Sequence, residues 1–291
     1  MGYFMLNLKI MLLLLHILYQ FYDKGVVVFV LYLIGVMIYA GVGLHLYHAL
    51  VKNKPIFKTA TLSALAIAII LHGVILAPQI ITLYGLNFNI FNVLSLTGLF
   101  CLIFFVLFSL YRPILSLGVL AVPTAIIGMS FGEFGQAPYQ PITDMNMGLQ
   151  THILLSFGAY CVLLMACVQA VILRLQIREL KHQTIHRFWV AKLPSLQSME
   201  SLLFDMILMG FVILSVAIGL GLVTTYDIMA QHVAHKLVFS VLSWLVFGVF
   251  IAGYYRFGWR GKKASNFAIY GFILLAIGFV GSKVVLELIL K

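Results

Sequence analysis

The chain has 291 residues, 63% of them apolar and 9% charged, with a net charge of +10. A soluble domain carries roughly 25% charged residues, so this composition excludes an ordinary soluble enzyme and points to a protein whose solvent is the bilayer. A nucleic-acid-binding surface is excluded with it, because the basic residues do not form a stripe on a soluble face.

At the start of the chain, Lys9 is followed by an apolar run from Ile10 to Tyr22. The run resembles a signal peptide, but no small-residue cleavage site follows, so no cleavage is expected. It is short for a span, which leaves an interfacial helix or a further crossing open, with Lys9 snorkelling to the headgroups. Residues 1–25 are therefore read as an N-terminal apolar extension and 26–291 as a transmembrane domain.

Continuous apolar runs then place helices near 26–50, 59–82, 88–110, 113–130, 148–176, 202–224, 235–256 and 266–289. Each is long enough, at a rise of ~1.5 Å per residue, to cross a ~30 Å hydrocarbon core with some tilt. No charge interrupts the sequence between Lys58 and Arg112, and Tyr84-Gly85-Leu86-Asn87 supplies the turn that divides this stretch into two helices. Pro123 is expected to kink the fourth span. The runs do not alternate, so a β-barrel is excluded and the fold class is an all-α, polytopic bundle of about eight spans.

The basic residues give an expected orientation. Lys52, Lys54 and Lys58 share one loop; Arg112 lies in another; Arg174, Arg178, Lys181, Arg187 and Lys192 crowd a third; Arg256, Arg260, Lys262 and Lys263 a fourth. All four fall on one face of the helix order, which the positive-inside rule makes cytoplasmic, leaving Glu133, Asp144 and Asp227 on outer loops. Multi-pass insertion in a bacterial inner membrane is the expected location, and the lipid bilayer the first expected partner.

Chemistry-bearing motifs are few. Cys101, Cys161 and Cys167 lie in expected spans without Cys-x-x-Cys spacing, which removes support for thiol-disulfide work or covalent heme attachment. A phosphate loop, a His-Glu-x-x-His helix and a Gly-x-Ser-x-Gly elbow are absent, so hydrolysis and nucleotide chemistry are not expected and the protein reads as a non-enzyme.

Histidine is what remains. His72 sits mid-span in a stretch, Thr59 to Pro78, without a charged residue, and an intramembrane imidazole usually has a use. His152 lies about one turn into the fifth span, and His232 and His235 at the outer mouth of the seventh. Imidazole is a good axial ligand for heme iron, and a groove between helices suits a flat apolar porphyrin. Simpler roles compete: His72 could hydrogen-bond a carbonyl or serine of a neighbouring helix, and His232 and His235 could cap a helix at the interface. For His45 and His48, three apart near the inner end of the first span, an interfacial role is favoured. Asp205 within the sixth span is expected to pair with Lys192 or Arg187, or to line an ion path. Ser198 with Glu200 reads as a helix start, and Gly258-Trp259-Arg260-Gly261 as a tight turn with an interfacial anchor.

The pattern His152-Ile153-Leu154-Leu155-Ser156-Phe157-Gly158-Ala159-Tyr160, with Lys236, Ser240, Ser243 and Trp244, then Gly258 to Ala264 and a closing span containing Gly271 and Gly281, resembles the CcsA-type cytochrome c assembly family. The likeness is greatest to its short inner-membrane branch, typified by YpjD and the HemX proteins, and the linker Leu193 to Glu200 is similar to that branch as well. The resemblance covers roughly residues 26–291. It implies a fold that holds heme between membrane helices and presents it at the outer face for attachment to apocytochrome c. It further implies iron ligation by His72 and His152, with heme b as the cofactor and heme-handling membrane proteins as partners. Two features depart from the family. Where heme-presenting members have a tryptophan-rich loop ending Trp-Asp-Pro-Lys, this chain has Val233-Ala234-His235-Lys236. The second histidine of each family pair would fall near Ala252 and Leu290. His235 or His232 is therefore the expected second ligand to iron beside His152. The other reading is an accessory or regulatory membrane subunit, of heme synthesis or cation transport, that keeps the fold without the heme.

Overall fold

The computed structural model describes residues 24–82, 85–135, 146–181, 192–224 and 231–278. The described residues form eight α-helices and one minimal hairpin. In chain order these are α1 (Lys24–Lys52), α2 (Lys58–Ile80), α3 (Ile90–Tyr111), α4 (Gly118–Phe134), α5 (Met147–Lys181), α6 (Leu196–Thr224), α7 (Gln231–Phe257) and α8 (Lys262–Ala276). Helices occupy all eight expected places, and α1 to α7 are long and apolar enough to cross a membrane. The protein is an all-α polytopic membrane protein. The expected N-terminal extension, as far as residue 23, lies outside the described residues, as do Asp144, Arg187, Asp227 and Leu290.

Where the helix ends differ from expectation, capping explains the shift. The sixth helix starts at Leu196, ahead of the apolar run, because Ser195 Oγ accepts the Ser198 backbone N–H at 3.3 Å and meets Ser198 Oγ at 2.9 Å. Ser195, one turn before the expected Ser198, is thus the capping hydroxyl. At the end of α1, Asn53 takes a left-handed conformation (φ 51°) and the Lys54 N–H returns to the Ala49 carbonyl at 3.0 Å. Between α2 and α3 the chain reverses through two-residue strands β1 (Ile81–Thr82) and β2 (Gly85–Leu86), paired antiparallel. Gly85 has φ 140°, which a side chain would resist, and so explains the glycine in the expected turn.

The chain divides into two compact units. The first comprises residues 1–107 and 117–144, and in it α1 packs against α2 and α4. The α1–α4 pair is antiparallel: Tyr32 OH meets Ser130 Oγ at 3.0 Å, while a side chain on Gly118 would strike Leu46. α3 and α4 approach at backbone distance, since a Cβ on Gly98 would lie 2.9 Å from the Thr124 carbonyl and one on Gly128 3.0 Å from that of Leu94. In lipid, where apolar side chains gain little by leaving the solvent, such small-residue crossings supply the packing.

The second unit comprises residues 108–116 and 145–291. α5 and α6 form its main antiparallel pair, with α8 against α5 and α7, and α7 against α6. A leucine tip replaces a side chain here too, because Gly210 of α6 faces Leu163 of α5. The Ser243 and Trp244 of the family-like pattern hold helices together: Ser243 Oγ donates to the Gly271 carbonyl at 2.8 Å, and Trp244 Nε1 donates to Ser215 Oγ at 2.7 Å with its ring stacked on Phe211. The expected turn at Gly258 to Gly261 is present, with φ of 64° and 57° at its two glycines and Trp259 stacked on Phe267.

Candidate functional site

In the first unit the intramembrane histidine is deeply enclosed. His72 of α2 is 1% exposed. Its Nε2 lies 2.9 Å from Ser95 Oγ of α3, and its Nδ1 3.5 Å from the Tyr39 hydroxyl of α1, with the two rings edge to face. A serine on a neighbouring helix is thus the partner, one of the simpler roles expected for this side chain. Three helices meet at the imidazole, and its two nitrogens both face hydroxyls. To ligate a metal, Nε2 would have to surrender the Ser95 contact inside a filled core.

His152 is placed differently. It is half-buried near the start of α5, and its Nδ1 lies 2.7 Å from the carbonyl oxygen of Ala217 on α6. A carbonyl oxygen only accepts, so Nδ1 carries a proton, and in the neutral form of the ring the lone pair stands at Nε2. This is the tautomer and support a ligating histidine needs, with a backbone oxygen holding the far nitrogen. Gly221, one turn beyond Ala217, makes room for the ring: a Cβ there would stand 2.7 Å from Cε1 and 3.0 Å from Nδ1.

The residues at that end of the unit follow from helix direction. α6 runs antiparallel to α5 and α7: His152 meets Ala217 and Gln169 meets Met199, while Trp244 meets Ser215 and Tyr254 stacks on Phe204. The starts of α5 and α7 therefore share the end at which α6 finishes. His232 and His235 lie in the first turns of α7, at that end, but their side chains lie outside the described residues. Ala252, near which the resemblance implies a second histidine, lies in the last third of α7.

The two histidines differ in the donor chemistry they offer to heme iron. His152 fits an axial ligand: one nitrogen is locked by a carbonyl and the other bears a lone pair. His72 does not fit in the arrangement observed, because both nitrogens are engaged. Among the described residues no group of three or more His, Cys, Asp or Glu could hold a metal ion by itself.

Sequence reasoning did not identify the partner of Asp205. Its Oδ2 lies 2.7 Å from Arg112 Nε, where Lys192 or Arg187 had been the expected partner. Arg112 follows the end of α3, and its cation also lies over the Tyr111 ring at 5.8 Å. Its hydrogen bond to the Asp205 carboxylate raises the Arg112 pKa above its ordinary value. Close in sequence to Lys192 and far from Arg112, Asp205 carried no pairing signal that could have indicated this.

The chain matches the family described as Cytochrome C assembly protein over residues 4–290. It is similar to the inner membrane protein YpjD of Escherichia coli K12, at 28% identity over 82% of this chain and 90% of the relative. It is also similar to an uncharacterized 28.8 kDa protein of Azospirillum brasilense, at 25% identity over 65% of this chain and 71% of that protein. No solved structure matches it significantly.

Proposed function

The chain belongs to the cytochrome c assembly protein family, and on that footing we propose that it is a non-enzymatic, heme-handling protein of the bacterial inner membrane that holds heme b near one face. The observation that carries this reading is the His152–Ala217 bond, which leaves Nε2 as the nitrogen available to iron. His152 would hold the iron, with Ala217 fixing its tautomer and Gly221 leaving room for the ring. His235 or His232, in the first turns of α7 at the same end of the unit, would be the source of a second nitrogen. His72 contributes as a hydrogen-bonded post between three helices. The iron porphyrin would supply redox-active, covalently attachable heme, and the protein's own residues would bind, orient and shield it.

The name of the inner membrane relative and the apolar helices support the location, and the basic loops support a cytoplasmic face opposite His152. A second reading, an accessory subunit of heme synthesis or cation transport without heme, is favoured by one observation: His72 is engaged at both nitrogens by Tyr39 and Ser95. Titration of the detergent-purified protein with hemin separates the two. The heme reading predicts saturable uptake at about one hemin per chain with a sharp Soret band, and the accessory reading predicts only the diffuse spectrum of hemin in micelles.

A further inference from the structure

We propose that the cavity where α1 ends is a binding site for the headgroup of one anionic phospholipid, a site independent of any heme. The cavity has a volume of about 590 Å³ and is lined by Leu44, His45, His48, Ala49, Lys54 and Phe57, among others. The backbone builds it. With Asn53 left-handed and the Lys54 N–H bonded to Ala49, the chain leaves α1 and folds back along the helix it has just finished. Phe57 comes to lie parallel to the His45 ring, centroids 6.3 Å apart, and His48 stands one turn further along the same face.

Three features point to a lipid rather than to another occupant. The first is depth: the cavity opens where the first membrane-spanning helix ends and the second begins, which is headgroup level. The second is charge. Lys54 lines the cavity, Lys52 and Lys58 lie within four residues of it along the chain, and the sequence has no acidic residue from 24 to 132. Among the described residues of this unit the acid is Glu133, at the end of α4 that packs beside Tyr32, a helix length away from Lys54. The third is the apolar rim, since Leu44 is 65% and Phe57 68% exposed, as acyl chains descending from a bound phosphate would require. A phosphodiester between the imidazoles and Lys54 Nζ would meet donors on two sides, and its chains would cover Leu44 and Phe57.

The test uses the full chain purified in a neutral detergent, with dioctanoyl phosphatidylglycerol, dioctanoyl phosphatidylcholine and inorganic phosphate as probes, and native mass spectrometry as the readout. The expected result is one retained phosphatidylglycerol per chain, at a concentration about tenfold below that needed for phosphatidylcholine. H45Q/H48Q/K54Q should abolish that preference, whereas K262Q/K263Q, which removes two cations from the start of α8, should leave it intact. Should the triple variant fail to fold, K54Q alone is expected to narrow the preference. Equal retention of the two lipids, retention unchanged by the triple variant or by K54Q, or loss of phosphatidylglycerol to an equal concentration of free phosphate would each overturn the proposal. The last outcome would mark the site as one for the free anion.

Discussion

The imidazole of His152 and the carbonyl of Ala217, 65 residues apart in sequence, stand 2.7 Å from one another between α5 and α6. One short bond decides which nitrogen is free. Because it runs from the ring to backbone, no single side-chain substitution on α6 removes the acceptor, and only a change that moves the ring or the helix can break the bond.

The position most sensitive to change beside the ring is Gly221. An added methyl would lie inside contact distance of Cε1 and Nδ1, so the ring must rotate away and break its bond to Ala217. Gly221→Ala is expected to weaken hemin binding by roughly 10- to 100-fold, the usual cost of disturbing the support of a metal ligand. Hemin titration followed at the Soret band reads the effect; Gly219→Ala, whose Cβ meets nothing within 4 Å, is the control expected to bind normally.

His72 should affect stability and leave the spectrum unchanged. His72→Ala empties a core position and strands the Ser95 hydroxyl, an expected loss of about 2–4 kcal/mol. Ser95→Ala removes one interhelical hydrogen bond and should cost about 0.6 kcal/mol, the average found for such bonds in membranes. Thermal or denaturant unfolding in detergent measures both, and hemin titration of His72→Ala should match the parent protein. A Soret band lost with His72 would make it a ligand and remove its role as a post.

Much of the fold was legible because hydropathy responds to the same physics that inserts a helix. Every expected span has a helix, and the expected tight turn at Gly258–Gly261 is present, its two glycines taking positive φ angles. Helix ends were less legible: the apolar run begins well after Ser195, yet that hydroxyl, and not hydropathy, starts α6. For His72, charge-free surroundings marked the residue as special, and a serine partner was one foreseeable outcome. His152 was marked by its place one turn into the fifth span and by its family-like pattern, but its acceptor is a backbone oxygen, which has no residue type to betray it. The Arg112–Asp205 pair joins residues 93 apart, and one sequence carries no record of which distant charges meet.

That ion pair yields a prediction of its own. The side chains are 33% and 19% exposed, so the pair lies between the surface and buried regimes. A double-mutant cycle with Arg112→Gln and Asp205→Asn should give a coupling of about 1–2 kcal/mol, above the ~0.2–1 of exposed pairs and below the ~3–5 lost on breaking a buried one. Unfolding of the four proteins measures it, and Arg112→Lys should recover only part, because the observed bond is made by the guanidinium Nε.

The most direct test of His152 as the iron ligand is chemical rescue in His152→Gly. If Nε2 of this ring holds iron, the glycine variant loads hemin weakly, and free imidazole diffusing into the space left by the side chain restores the parent's reduced α-band and Soret position. If the His152→Gly protein takes up hemin with the parent's spectrum and affinity and ignores imidazole, then iron is held elsewhere and the account of this site is wrong.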